Sequence, residues 1–326
     1  MSTTTPTKRG YRPGSLEALA AVLVLLILGQ RWLVDVFDNP ALQAGATIFV
    51  SIVVQALPFL VLGVVLSGAI AAFVPMSFWR KALPRNRALA VPVAGAAGLV
   101  LPGCECASVP VANSLMSRGV TPAAALAFLL SAPAINPIVL ASTFVAFPGQ
   151  PEMTFARLIA SFATALVMGW LWLRFGKGKW LRVGPREHLV GSSKWHTFRN
   201  NVSHDFLHAG GFLVVGGIAA AFLNVVVPPS WLSAVADQPV LSVIALALLA
   251  VALSICSEAD AFVAASLTEF SLTARLAFLV VGPMVDIKLI SLQTGTFGRS
   301  FAARFAPATF VIAVCMSALV GWWLLT

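Results

Sequence analysis

Charge is scarce in this chain. Only 21 Lys and Arg and 12 Asp and Glu occur among 326 residues, against 59% hydrophobic residues, a composition that excludes an ordinary soluble domain. Segments of alternating polarity are missing too, which excludes a transmembrane β-barrel. Four cysteines, three of them in apolar or intramembrane surroundings, do not make the disulfide framework of a small extracellular domain. No G-x-x-x-x-G-K-[ST] loop occurs, so the sequence holds no ATPase module. The net charge of +9 lies in short clusters between apolar runs, which argues against nucleic acid as a partner.

What fills the sequence is long apolar runs. A hydrocarbon core of roughly 30 Å needs about 20 helical residues, and such runs recur from residue 16 to the end. The chain therefore reads as an all-α polytopic membrane protein whose surface partner is membrane lipid. The polar, basic segment 1–15 reads as a retained cytoplasmic tail, and 16–40 as an extra N-terminal transmembrane helix. A first transmembrane repeat over 41–176, a basic cytoplasmic linker over 177–203 and a second repeat over 204–326 follow. Arg80, Lys81, Arg85, Arg87 and Arg118, and the linker's cations, mark cytoplasmic loops by the positive-inside rule. On that map all but four of the 21 Lys and Arg are cytoplasmic. The exceptions are Arg31, Arg157, Arg275 and Lys288.

Two short arms, 88–101 and 107–116, flank LPGCECASVP (101–110). Fourteen helical residues reach about 21 Å, short of a full crossing, and basic residues lie at both outer ends. This describes a re-entrant hairpin with Cys104, Glu105 and Cys106 at its tip. The second half repeats the first: Phe59-Leu-Val-Leu-Gly63 recurs as Phe212-Leu-Val-Val-Gly216. At a constant offset of 150, Cys106 matches Cys256, Leu126-Ala-Phe-Leu129 matches Leu276-Ala-Phe-Leu279, Pro133 matches Pro283 and Asn136 matches Asp286. Three full spans in the first repeat would invert the second, so that a second hairpin, with arms 240–255 and 259–268, enters from the opposite side. Opposed broken helices at mid-membrane are a transporter design. The alternative is that each short arm crosses fully, giving more spans and a parallel repeat.

Ionisable groups within a bilayer cost several kcal/mol by insertion scales and demand partners or a wet cavity. The candidates are Glu105, Glu258, Asp260, Asp286 and Lys288, with Asn136 as a polar ligand beside a helix break. Glu105, Glu258, Asp260 and Asp286 are also candidates for proton coupling. The structural alternative makes Lys288 a buried counter-ion of Asp286, Asp260 or Glu258 that holds the repeats together. Cys104, Cys106 and Cys256 could converge on a soft, thiophilic centre, or simply pack as small hydrophobes, which is the reading for Cys315 in the last apolar run. No resident metal or cofactor is expected, and the four histidines show no ligand spacing.

The blocks PGCECASVPVANSLMSRG with LAFLLSAPAINPIVL, and CSEADAFVAASL with LAFLVVGPMVDIKLI, resemble the two signature blocks of the YraQ-type predicted permeases. That family includes the ArsP-type organoarsenical efflux permeases. The resemblance spans about 45–325 and implies a bacterial inner-membrane permease; in ArsP-type members membrane cysteines are implicated in exporting trivalent organoarsenicals. It carries over to Cys104 and Cys106, and to Cys256 with Glu258 and Asp260. The expectation is a secondary transporter, not an enzyme, moving a small-molecule or metalloid substrate between two hairpin tips. Alternatives are an anionic or sulfur-containing solute held by Lys288, a thiol oxidoreductase cycling Cys104 and Cys106, or a non-transporting scaffold. A homo-oligomer is compatible with all of these.

Overall fold

The computed structural model describes residues 40–75, 78, 83–100, 104–182, 194–226 and 238–325. The expected tail, nearly all of the N-terminal helix over 16–40, residues 183–193 of the linker and the break at Pro102-Gly103 lie outside the described residues. The chain divides into two units, Met1–Thr47 and Ile48–Thr326. Of the first, only the opening turns of a helix are described, and everything below concerns the second.

Among the described residues the regular structure is entirely helical, and its α-helices fall into two series of six. The first is α1 (Pro40–Phe73), α2 (Arg87–Ala96), α3 (Glu105–Ser117), α4 (Pro122–Ile135), α5 (Pro137–Ala146) and α6 (Pro151–Phe175). The second is α7 (Lys194–Val226), α8 (Pro239–Leu253), α9 (Asp260–Ser266), α10 (Leu272–Val281), α11 (Ile287–Phe297) and α12 (Arg299–Leu324). Each series runs long, short, short, then a broken pair, then long. Proline sets several of these boundaries. Pro122, Pro137, Pro151 and Pro239 each open a helix, where the missing N–H costs nothing because no intrahelical acceptor exists there.

By length and composition five helical segments can cross a membrane: α1, α4 with α5, α6, α7 and α12. A multi-pass membrane protein needs an outside as apolar as its core, and the exposed faces carry it: Val54, Leu207, Phe222, Trp322 and Trp323 are all well exposed. In water such a surface would drive aggregation; in lipid it is ordinary.

The core is built around α4 and α10. Every residue of α4 from Ala123 to Ile135 is buried, as is the run from Leu276 to Val281 in α10. In each half this central helix packs between its neighbours in the same way, α4 against α2 and α6, and α10 against α8 and α12. The halves also interlock, since α3 packs on α11 and α9 on α5.

Glycine permits the closest of these approaches. A Cβ at Gly63 would collide with the Ala107 backbone, and one at Gly216 would stand 2.8 Å from the Lys288 Cα. These are the glycines of the two matched FLV-x-G blocks. Each lets a long helix press against the backbone beside a buried charge.

Candidate functional site

Two broken helices place the polar groups. Asn136 is a single extended residue between two helices, whereas Asp286 ends a five-residue break after Val281; in both places the side chain caps the helix that restarts. Asn136 Oδ1 accepts from Val139 N at 3.0 Å, while its amide donates to Ala132 O at 3.1 Å. Asp286 Oδ1 accepts from Leu289 N at 2.6 Å. The same cap, three residues long, occurs at positions 150 apart. Asp286 differs in keeping a second oxygen and a charge.

Lys288 is the second residue of α11 and is wholly buried. Its Nζ donates to Glu105 Oε1 at 2.9 Å and lies 3.5 Å from Asp286 Oδ2. A lone ammonium in hydrocarbon would be prohibitively costly; two carboxylates make it tenable. Glu105 is equally buried, and its Oε2 has no hydrogen-bond partner.

The thiols gather around this pair. Cys104 caps α3 with extended backbone, and its carbonyl accepts from Ala107 N and Ser108 N, both at 3.1 Å. Glu105 and Cys106 therefore stand in the first turn of α3 rather than in the loop between two arms, because the helix restarts directly after Cys104. Cys256 and Glu258 occupy the connection from α8 to α9. Cys106, Cys256 and Glu258 each lie within electrostatic range of Glu105 and Lys288, and Cys104 within range of Glu105, Cys106 and Cys256. The three cysteines are buried and form no disulfide. Among the described residues, no three His, Cys, Asp or Glu side chains are arranged to hold a metal ion.

That connection is shaped by Ser254, the one non-glycine residue with positive φ among those described, at 50°. It ends α8 in the left-handed region, an uncommon conformation for a residue with a side chain. Its hydroxyl donates to Val251 O at 3.0 Å and accepts from Ile287 N at 3.1 Å, tying the end of α8 to the start of α11. From α7, the Asn224 amide donates to Ala252 O at 3.2 Å and more weakly to Leu253 O at 3.4 Å, satisfying carbonyls freed at the helix end.

Asp260 stands in a separate arrangement. Its partner is Arg157, not Lys288: Nη1 donates to Oδ1 at 2.9 Å and Nη2 to Oδ2 at 2.7 Å, a two-pronged pair buried on both sides. Nη1 also donates to Thr143 Oγ1 at 2.8 Å. Arg157, Thr143 and Gln293, whose buried Oε1 has no hydrogen-bond partner, are absent from the set expected from sequence. The signal for Arg157 was available, as a cation inside an apolar run that the positive-inside pattern could not place. Cys315 is exposed on α12 rather than packed in the core. Its side of that helix faces outward.

Both ion pairs join one series to the other, Glu105 of α3 to Lys288 of α11 and Arg157 of α6 to Asp260 of α9. In total four carboxylates, Glu105, Glu258, Asp260 and Asp286, are set against two cations.

Comparison with known proteins adds three findings. A family model described as a predicted permease, ArsP_1, matches residues 41–322. The UPF0718 protein YcgR of Bacillus subtilis is 36% identical over 279 residues, covering 83% of this chain and 94% of its own. A Streptococcus mutans protein named as a subunit of a two-component membrane permease complex is 32% identical over 291 residues, covering 84% of this chain and 94% of its own. No solved structure matches the chain.

Proposed function

The chain belongs to the predicted permease family, and from that premise we propose that it is a bacterial inner-membrane secondary transporter. Its solute is small and thiophilic, such as a trivalent organoarsenical, and binds between two hairpin tips near Cys104, Cys106 and Cys256. The two series of helices act as inverted repeats, with re-entrant hairpins over α2–α3 and α8–α9 and with the basic loops in the cytoplasm.

The observation that carries this reading is the wholly buried Glu105–Lys288 pair with three free thiols around it. Such a group is expensive to hold in a membrane and is found where ions or solutes pass. Soft thiol ligands select a soft solute over a hard one. Four carboxylates against two cations leave protons or a cationic solute to complete the charge balance, which makes Glu105, Glu258, Asp260 and Asp286 the coupling residues. An anionic solute at Lys288 is less favoured, since Glu105 and Asp286 already occupy that ammonium. The name of the streptococcal relative supports a second membrane subunit as partner.

The test is uptake of a trivalent methylated arsenical into everted vesicles by the wild type, Cys104→Ser and Cys106→Ser, with and without a protonophore. Loss of uptake in either serine variant at unchanged expression supports the reading. Uptake equal to wild type in both would remove the thiols from the mechanism.

A further inference from the structure

Away from the buried ion pairs, α8, α11 and α12 enclose an apolar groove of about 660 Å³ that is open to the outside of the protein, within the range of about 300–1,000 Å³ typical of ligand sites. Midway along the groove α12 presents a run of small residues. Ala302, Ala303, Ala306 and Pro307 form its floor, facing Leu248 of α8 and Ile290 of α11.

The groove has one charged end. Arg299, the first residue of α12, lines it and is exposed. Among the described residues no carboxylate pairs with Arg299. Arg182 lies alongside, its side chain against Gly298 and its backbone N donating to Phe297 O at 3.0 Å. Arg304 and Lys177 flank Trp180 on the same end of the helix, at 5.0 and 5.6 Å from its ring. Cations around an indole mark the level of the membrane interface.

The dimensions agree with one leaflet. Arg299 and Val311, the extremes of the groove along α12, are twelve residues apart, about 18 Å at 1.5 Å per residue. Half a hydrocarbon core is about 15 Å. A ligand with an anionic head at Arg299 and an apolar chain running to Val311 fits the charge, the polarity and the length together.

We propose that this groove is a binding site for one anionic phospholipid, its phosphate held by Arg299 and Arg182 and one acyl chain lying over Ala303 and Ala306. The site depends on the chain being a membrane protein and not on which solute it moves.

Native mass spectrometry of the purified protein titrated with phosphatidylglycerol or phosphatidylcholine tests it. The wild type is expected to bind phosphatidylglycerol more tightly. Arg299→Gln should lower that preference about fivefold, the worth of one basic side chain at an anionic leaflet, while leaving phosphatidylcholine binding unchanged. Ala303→Trp, a substitution at an exposed position that fills the groove, should weaken both lipids. Equal binding of the two lipids by the wild type, or unchanged phosphatidylglycerol binding in Ala303→Trp, overturns the proposal. If Ala303→Trp alters the mass of the oligomer and leaves lipid binding intact, the occupant is a second copy of the chain and the proposal likewise fails.

Discussion

The Lys288 ammonium lies 2.9 Å from the Glu105 carboxylate although 183 residues separate them, and neither side chain is exposed. The pair is possible because two helices restart where they do. Cys104 begins α3 so that Glu105 occupies its first turn, and Asp286 caps α11 so that Lys288 points into the same space. Local backbone breaks thus create the long-range contact.

Losing Lys288 alone should be worse than losing Lys288 together with Glu105. Lys288→Met leaves Glu105 and Asp286 buried against each other, and loss of a buried partner costs about 3–5 kcal/mol. Adding Glu105→Gln removes one of the two stranded carboxylates and leaves only Asp286 without its ammonium, so part of that loss should return. Thermal unfolding in detergent of the two single variants and the double variant reads the coupling. Strictly additive losses would sink the idea that the two groups stabilise one another.

Arg157 holds Asp260 with both prongs of its guanidinium while also donating to Thr143. Arg157→Lys retains charge and cannot reproduce the fork. It should unfold at a temperature between that of the wild type and that of Arg157→Leu, which strands Asp260 at a cost of about 3–5 kcal/mol. If lysine matches arginine, geometry is irrelevant there and charge alone suffices.

Much of this was legible in the sequence. Proline, glycine and the 150-residue register located the two broken pairs, α4 with α5 and α10 with α11, because helix breakers act locally and the polar caps Asn136 and Asp286 repeat at related positions. Glu105, Glu258 and Asp260 stood out against an apolar background for the same reason. Pairing was not legible. Asp286, Asp260 and Glu258 offered Lys288 equal chemistry in the sequence, and the nearest partner, Glu105, was not among them, because the contact depends on how helices from the two series interlock. Arg157 was visible only as a misfit in the charge pattern, since nothing near it in sequence is acidic except Glu152. The start of α3 at Glu105 was likewise hidden, because Pro102 and Gly103 signal a break without fixing where the next helix resumes.

Ser254 allows strain and hydrogen bonding to be separated. Ser254→Ala keeps a side chain at positive φ and removes the acceptor of the part-buried Ile287 N, a lost hydrogen bond worth about 0.5–1.5 kcal/mol. Ser254→Gly loses the same acceptor but relieves the left-handed backbone, worth about 1–2 kcal/mol. Glycine should therefore be the milder of the two in a thermal melt. The reverse order would show that the φ of 50° carries no cost at this site.

At Asp286, capping and charge can be pulled apart in the same way. Asn and Asp cap helices about equally well, and replacing either by Ala costs about 0.5–2 kcal/mol. Asp286→Asn should therefore keep the bond to Leu289 N, and Lys288 keeps Glu105 as its counter-ion, so the protein should still fold and insert. What it loses is one of the four carboxylates in the charge balance. If that carboxylate exchanges a proton during transport, the variant should show uptake with an altered dependence on pH and on protonophore, whereas Asn136→Ala should lower stability and leave that dependence alone. A normal pH profile for Asp286→Asn would confine the residue to its cap, and would shift the coupling role to Glu105 and Glu258, whose second oxygens are buried without a hydrogen-bond partner.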